Sequence, residues 1–315
     1  MDFTRLKAVS YDDPDRPGKK ITRVYYQVNS QIRESCFDDD NGWYVRGGDV
    51  VAANAKPRSP ISATIHADGK MTSIFYIDSA NRLCRRVRTT AKAGDKGEWL
   101  DGSVGQPSFA MSSASQLSAV RTDEDEENLR VFYQSTDNRV RGIVSEGDKG
   151  VWVPSDLVLD GALPGTSLCA VAGAYQVRLY YQGIDKTIRE HFSDPDTSWK
   201  ASRIKTYSAD DKAPITGVAW NYTAGQLQIR VFTLQNNVLV ELIYDRGRGG
   251  WITNVASTGQ VSISGTNPVQ ASALASVGLN QNGKFTIFYQ PSKGVIAQYD
   301  SDFKRVQLGI PTARD

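Results

Sequence analysis

The chain repeats one short pattern six times, and that periodicity limits the fold more than any other feature of its 315 residues. The pattern is a dipeptide of a branched aliphatic and an aromatic residue: Val24-Tyr25, Ile74-Phe75, Val131-Phe132, Leu179-Tyr180, Val231-Phe232 and Ile287-Phe288. Successive starts lie 50, 57, 48, 52 and 56 residues apart, so six units fill the chain. A period of that size marks stacked supersecondary units, a solenoid or a propeller.

Each unit keeps the same order of parts. A small-residue strand comes first, as in Lys7-Ala8-Val9-Ser10, Ser118-Ala119-Val120 or Thr216-Gly217-Val218. The aromatic strand and its hairpin partner follow. A fourth strand then begins near Trp43, Trp99, Trp152, Trp199, Trp251 or Phe303. Small side chains on the first strand suit strands crowded around an axis. No helical period intervenes. The expected fold is therefore all-β: a six-bladed β-propeller with four antiparallel strands per blade, forming one domain over residues 1–315.

The fourth unit is the most informative. Val177–Gln182 and Ile188–Phe192 read as strands, with Gly183–Thr187 as the turn. Side chains alternate along a strand, so a symmetric turn sets Glu190 opposite Tyr180 and one diagonal step from Arg178. An indole, Trp199, follows nine residues after Glu190. A cation and a carboxylate side by side suit a neutral polyol, because guanidinium donates hydrogen bonds and carboxylate accepts them from hydroxyls.

The repeat tests this pair at every position. Arg23 and Glu34, Arg178 and Glu190, and Arg230 and Glu241 are intact. Blade two has Ser73 and Arg85, blade three Arg130 and Gly142, and blade six Thr286 and Gln298. An ion pair needed by every blade would not disappear from half of them while the strand pattern persists, which favours ligand binding. Three residues after each Glu, the side chain points the other way, toward the neighbouring blade. It is Phe37 in blade one, Ser193 in blade four and Tyr244 in blade five. An aromatic residue there supplies an apolar platform for the C–H face of a sugar.

Composition excludes several other classes. The formal net charge is +2 and the pI about 8.3, too balanced to attract nucleic acid. No apolar run reaches membrane-spanning length, so no membrane insertion is expected. The start, Met1-Asp2-Phe3-Thr4-Arg5, lacks a signal-peptide core, which points to a cytoplasmic protein, or to one exported unconventionally and acting at the cell surface. Cys36, Cys84 and Cys169 fit neither a disulfide framework nor a metal spacing and are expected as small buried residues. Neither His66 nor His191 suggests a metal or catalytic role, and no cofactor is expected. The basic cluster Arg82, Arg85, Arg86, Arg88 and Lys92 reads as a solvated face, and the acidic run Asp123–Glu127 as a solvated loop.

The recurring [IVL]-R-[VL]-[YF]-x-Q, I-R-E and G-W elements resemble the fungal fucose-specific lectins, the Aleuria-type six-bladed propellers. So does Gly161-Ala162-Leu163-Pro164-Gly165-Thr166 ahead of blade four. The likeness spans essentially the whole chain. It implies fucose bound between adjacent blades, with Arg and Glu from one blade and an aromatic wall and Trp from the next. Carried over, the fullest site is Arg178, Glu190, Tyr244 and Trp251. A second is Arg23 and Glu34 with Trp99, where Arg88 replaces the wall, and a third is Arg230 and Glu241, facing Ser301 and Phe303. About three of six sites are thus expected to work, on fucosylated glycans and glycoproteins, with homodimerisation left open. Two other readings compete. A sialidase-like glycosidase needs two carboxylates about one bond, whereas each unit offers one Glu held ionised by its Arg. A protein-binding scaffold would keep the Arg/Glu pairs as remnants.

Overall fold

The computed structural model describes the chain apart from residues 1–3, 14–15, 46–49, 67, 91–96, 105–108, 123–127, 146–149, 174–175, 195–197, 203, 205–206, 222–225, 253–259, 263–272, 279–282, 293, 302–304 and 309–315. The acidic run, Lys92 and Phe303 lie outside the described residues. Six antiparallel sheets are present, each made of strands consecutive in sequence. Blade four is typical: Leu168–Gly173, Gln176–Gln182, Thr187–Ser193 and Lys200–Ala201, paired in that order. In blades one, four and five a further short segment also pairs with the third strand: Val50–Ala52, Tyr207–Ser208 and Gln260–Ser262.

The first strands (Lys7–Asp12, Ile61–Ile65, Leu117–Arg121, Leu168–Gly173, Thr216–Trp220 and Leu274–Gly278) each touch the next, and the sixth touches the first. The ring is therefore closed. Small residues line these contacts because there is no room for more. The Ala119 and Ala170 amides donate to Ser62 Oγ and Ser118 Oγ of the preceding blade, at 2.7 and 2.8 Å. A Cβ on Gly217 would sit 3.3 Å from Cys169 Sγ and 3.1 Å from a backbone oxygen of its own blade.

The aliphatic residue of the repeated dipeptide is fully buried in every blade, and the aromatic beside it at most 1 % exposed. Onto that aromatic packs the indole of the following blade, edge to face. Tyr25 meets Trp99, Phe75 meets Trp152, Phe132 meets Trp199, Tyr180 meets Trp251 and Phe288 meets Trp43, with centroids 5.5–6.3 Å apart. The Trp repeat is thus an inter-blade latch worth about 0.5–1.5 kcal/mol per pair beyond burial.

The glutamine of the repeated motif has a structural task. Gln182 is fully buried. Its amide donates to the carbonyls of Lys186, Ala209 and Asp210 at 3.0, 3.3 and 2.9 Å, and its oxygen accepts from Lys212 N at 2.9 Å. It thereby ties the hairpin to the loop that enters the next blade. Gln134 does the same through Leu163 O and Gly165 N, which explains the Gly-Ala-Leu-Pro-Gly-Thr segment as a loop fastening. Gln182→Leu would leave these backbone groups unpaired, at a cost of about 2–3 kcal/mol. We expect a Tm lower by roughly 3–5 °C in a thermal melt; an unchanged Tm would refute this role.

Two expectations need correction. The basic cluster is a solvated face only in part: Arg82 is exposed and pairs with Asp78, whereas Arg85 and Arg88 are 7 % and 5 % exposed and half-buried Arg86 pairs with Asp101. Strand Leu83–Thr89 lies between two blades, so both its faces are partly covered. Cys36 and Cys169 are buried, but Cys84 is only half-buried.

Candidate functional site

Cleft four, between blades four and five, is built on the blade-four hairpin. Asp185 in its turn accepts from Thr187 N and Oγ1, at 3.2 and 2.8 Å, and Lys186 takes a left-handed φ of 63°. The symmetric turn sets the expected register, Tyr180 opposite Glu190 and Arg178 opposite Phe192. Arg178 NH1 donates to Glu190 Oε1 at 2.9 Å, and the Tyr180 hydroxyl donates to the same oxygen at 2.7 Å. From blade five, Trp251 Nε1 donates to Glu190 Oε2 at 2.9 Å. The guanidinium lies between the rings of Phe192 and Tyr244, 5.3 and 4.5 Å from their centroids. Its NH2 reaches Gln176 Oε1 at 3.2 Å and the Tyr244 hydroxyl at 3.3 Å.

Two hydrogen-bonding capacities stay unused here. Arg178 Nε is buried without a partner. An ionised carboxylate offers about four lone-pair sites, and three donors reach Glu190. The cover is weak, because Tyr244 is a neutral, half-buried ring held to Arg178 by one long hydrogen bond. Burial lowers the Arg178 pKa, but the charge and hydrogen bond of Glu190, together with Tyr180 and Tyr244, raise it above the ordinary value. The guanidinium therefore stays charged, and the pair can donate and accept at once.

Cleft one, between blades one and two, has the same skeleton and a different filling. Tyr25 stands opposite Glu34, donating to Oε1 at 2.8 Å, and Arg23 NH1 reaches the carboxylate at 3.1 Å. Arg88 then enters from blade two, at the position of Tyr244, and forms a fork: NH1 to Glu34 Oε2 and NH2 to Oε1, both 2.8 Å. Its guanidinium lies 4.4 Å over the Trp99 ring, whose Nε1 has no partner. The other side of Arg23 is covered too. Its Nε and NH2 donate to the Tyr11 hydroxyl at 3.1 and 2.7 Å. Arg23, Glu34 and Trp99 do come together as expected, around a cleft occupied by the protein's own side chains.

Cleft five, between blades five and six, is the loosest. Arg230 meets Glu241 through Nε at 2.9 Å, while its NH1 turns to Ile229 O at 3.1 Å. Phe232 stands opposite Glu241, so no hydroxyl pins the carboxylate. Burial raises the Glu241 pKa despite Arg230, and burial lowers that of Arg230 despite Glu241. The expectation that every Arg holds its Glu firmly ionised fails here. The Trp220 ring lies 4.8 Å from the guanidinium. Of the facing pair, Ser301 is half-buried and Phe303 lies outside the described residues.

The broken positions have physical reasons. A Cβ on Gly142 would fall 2.6 Å from Ser155 Oγ, so blade three has no room for a carboxylate. In blade two the order is reversed, with Arg85 donating to Ser73 Oγ from Nε and NH2. In blade six Thr286 and Gln298 both donate to Asp300.

Two groups of residues escape a comparison limited to Arg and Glu. One is the tyrosine of the repeated dipeptide, whose hydroxyl fixes the carboxylate in clefts one and four. The signal was present as Tyr25 and Tyr180 against Phe elsewhere. The other lies two residues beyond the first-strand partner of each Arg. It is Tyr11 in blade one, Gly173 in blade four and Trp220 in blade five. Only Gly173 brings no side chain of its own onto the guanidinium. Trp199, by contrast, does not join the cradle of its own hairpin, since it packs on Phe132 of blade three. Trp251 of the next blade takes that place.

The profile of fungal fucose-specific lectins matches residues 4–96 and 87–303. The chain belongs to this family. Among curated members of the family, the fucose-specific lectin of Aleuria aurantia is 28% identical over 292 residues, covering 90% of this chain and 87% of its own. The fucose-specific lectin of Aspergillus oryzae is 26% identical over 241 residues, covering 72% and 73%. A variant of Aleuria aurantia lectin solved with alpha-methyl-L-fucoside superposes with a TM-score of 0.78 at 26% identity, covering 99% of each chain. The six-bladed architecture is thus shared with the Aleuria aurantia lectin.

Proposed function

We propose that this chain is a lectin that binds L-fucose and fucosylated glycans, and that cleft four is its principal site. The observation that carries the proposal is the Arg178–Glu190 pair, which is joined at 2.9 Å, fixed by Tyr180 and Trp251, and left with an unused Nε and lone pair. A sugar hydroxyl donates to Glu190 and another accepts from Arg178, while the Tyr244 ring moves from its long hydrogen bond to flank the pyranose. Family membership supports fucose as the sugar, given the fucoside bound by the Aleuria aurantia relative. Binding without catalysis is the favoured reading, because the cluster sets one carboxylate against a cation, and hydrolysis uses two about one bond.

The three intact pairs are not three equal sites. Cleft four is available, cleft five is weak and cleft one is occupied by Arg88. Charge-assisted hydrogen bonds contribute roughly 1.5–3 kcal/mol each, largely offset by desolvation and immobilisation of the sugar. Calorimetric titration with L-fucose is expected to give about one site per chain, with Kd roughly between micromolar and millimolar. Arg130→Ala should leave that titration unchanged. Three equal sites per chain would refute the ranking, and the absence of fucose binding would refute the function.

A further inference from the structure

We infer that cleft one is a complete saccharide site held shut by two side chains of the protein itself, Arg88 and Tyr11, and that these residues set the number of sugars the ring binds. The inference rests on the reading of cleft four as a fucose site. The two clefts match part for part. Arg23, Tyr25, Glu34 and Trp99 stand where Arg178, Tyr180, Glu190 and Trp251 stand, with the same cross-strand register and the same Tyr–Glu bond.

They differ at several positions, with Cys36 standing for Phe192 and Ile21 for Gln176, and two of the differences fill a valence that cleft four leaves free. Arg88, in place of Tyr244, gives Glu34 two hydrogen bonds of 2.8 Å. With Tyr25 and Arg23 also donating, the carboxylate has nothing left for a sugar hydroxyl. Tyr11, in place of Gly173, takes the Nε and NH2 of Arg23. The Arg88 guanidinium also lies over the Trp99 ring, whose Nε1 is buried without a partner among the described residues. Arg88 is therefore an internal ligand, offering a cation and donors where a sugar would offer hydroxyls.

The test moves the character of cleft four into cleft one in a protein whose own cleft four is disabled by Glu190→Gln. Arg88→Tyr restores the aromatic wall. Tyr11→Phe removes the hydroxyl that occupies Arg23 while keeping the ring that packs near Ile21 and Ile65. Adding both substitutions to the Glu190→Gln protein is expected to restore L-fucose binding at about one site per chain in calorimetry. With cleft four intact, the same two substitutions should raise the stoichiometry by about one. Arg88→Ser, which matches Ser301 of blade six, is the second variant and should restore weaker binding without the wall. The inference is overturned if the folded triple variant binds no fucose while the double variant with Glu190 intact binds as the natural chain does. It is also overturned if neither Arg88 variant folds, because Arg88 would then be a structural support that nothing replaces. A natural chain that fails to bind fucose would instead remove the reading of cleft four on which the inference rests.

Discussion

Glu190→Gln is expected to remove nearly all fucose binding while leaving the fold in place. Three donors converge on this carboxylate: Arg178 NH1, the Tyr180 hydroxyl and Trp251 Nε1. An amide of the same shape presents one carbonyl and one NH2. Whichever way it turns, its NH2 group faces a donor, and the charge that strengthens each bond is gone. The sugar hydroxyl that would donate to Glu190 loses its acceptor as well. The loss in binding should be about 2 kcal/mol or more, a thirtyfold or larger rise in Kd. Titration of the variant with L-fucose, beside a thermal melt, measures both quantities. Wild-type affinity in the variant would mean that the sugar binds elsewhere.

The sequence carried most of the fold and part of the site, and the division has a physical cause. Phase and blade count follow from residues whose burial is obligatory, such as Val24, Ile74 and Leu179. Strand register follows from the symmetric turn between Gln182 and Ile188, which placed Glu190 correctly against Tyr180. Contacts between blades are less legible, because radial packing joins residues far apart in sequence. Spacing alone linked Trp199 to its own hairpin, whereas the blade-three side of the sheet receives it. The family resemblance supplied Trp251 instead. Arg88 was visible as a missing wall, but only the fold brings its fork within 2.8 Å of Glu34. Tyr11, Gly173 and Trp220 went unread because their role depends on the bare or covered state of an arginine on the adjacent strand. The glutamine of the recurring motif was read only as a mark of resemblance and proves to fasten loops.

Glu34→Gln should have the opposite profile from Glu190→Gln, although the two residues share a register position. Glu34 balances two buried guanidinium groups, Arg23 at 1 % exposure and Arg88 at 5 %. Removing one member of a buried ionic cluster costs about 3–5 kcal/mol, because charges that cannot reach water lose their partner. In cleft four the same change leaves one guanidinium, Arg178, which still contacts the faces of Phe192 and Tyr244. The loss of stability should therefore be larger at Glu34, with a Tm lower by roughly 5–8 °C. Fucose affinity of the folded variant should stay at the wild-type value, since cleft one binds no sugar while Arg88 fills it. Thermal melts and fucose titrations of the two variants, run together, decide the matter. A Glu34→Gln protein that melts like the natural chain, or that loses fucose as Glu190→Gln does, would show that the two clefts have been assigned the wrong way round.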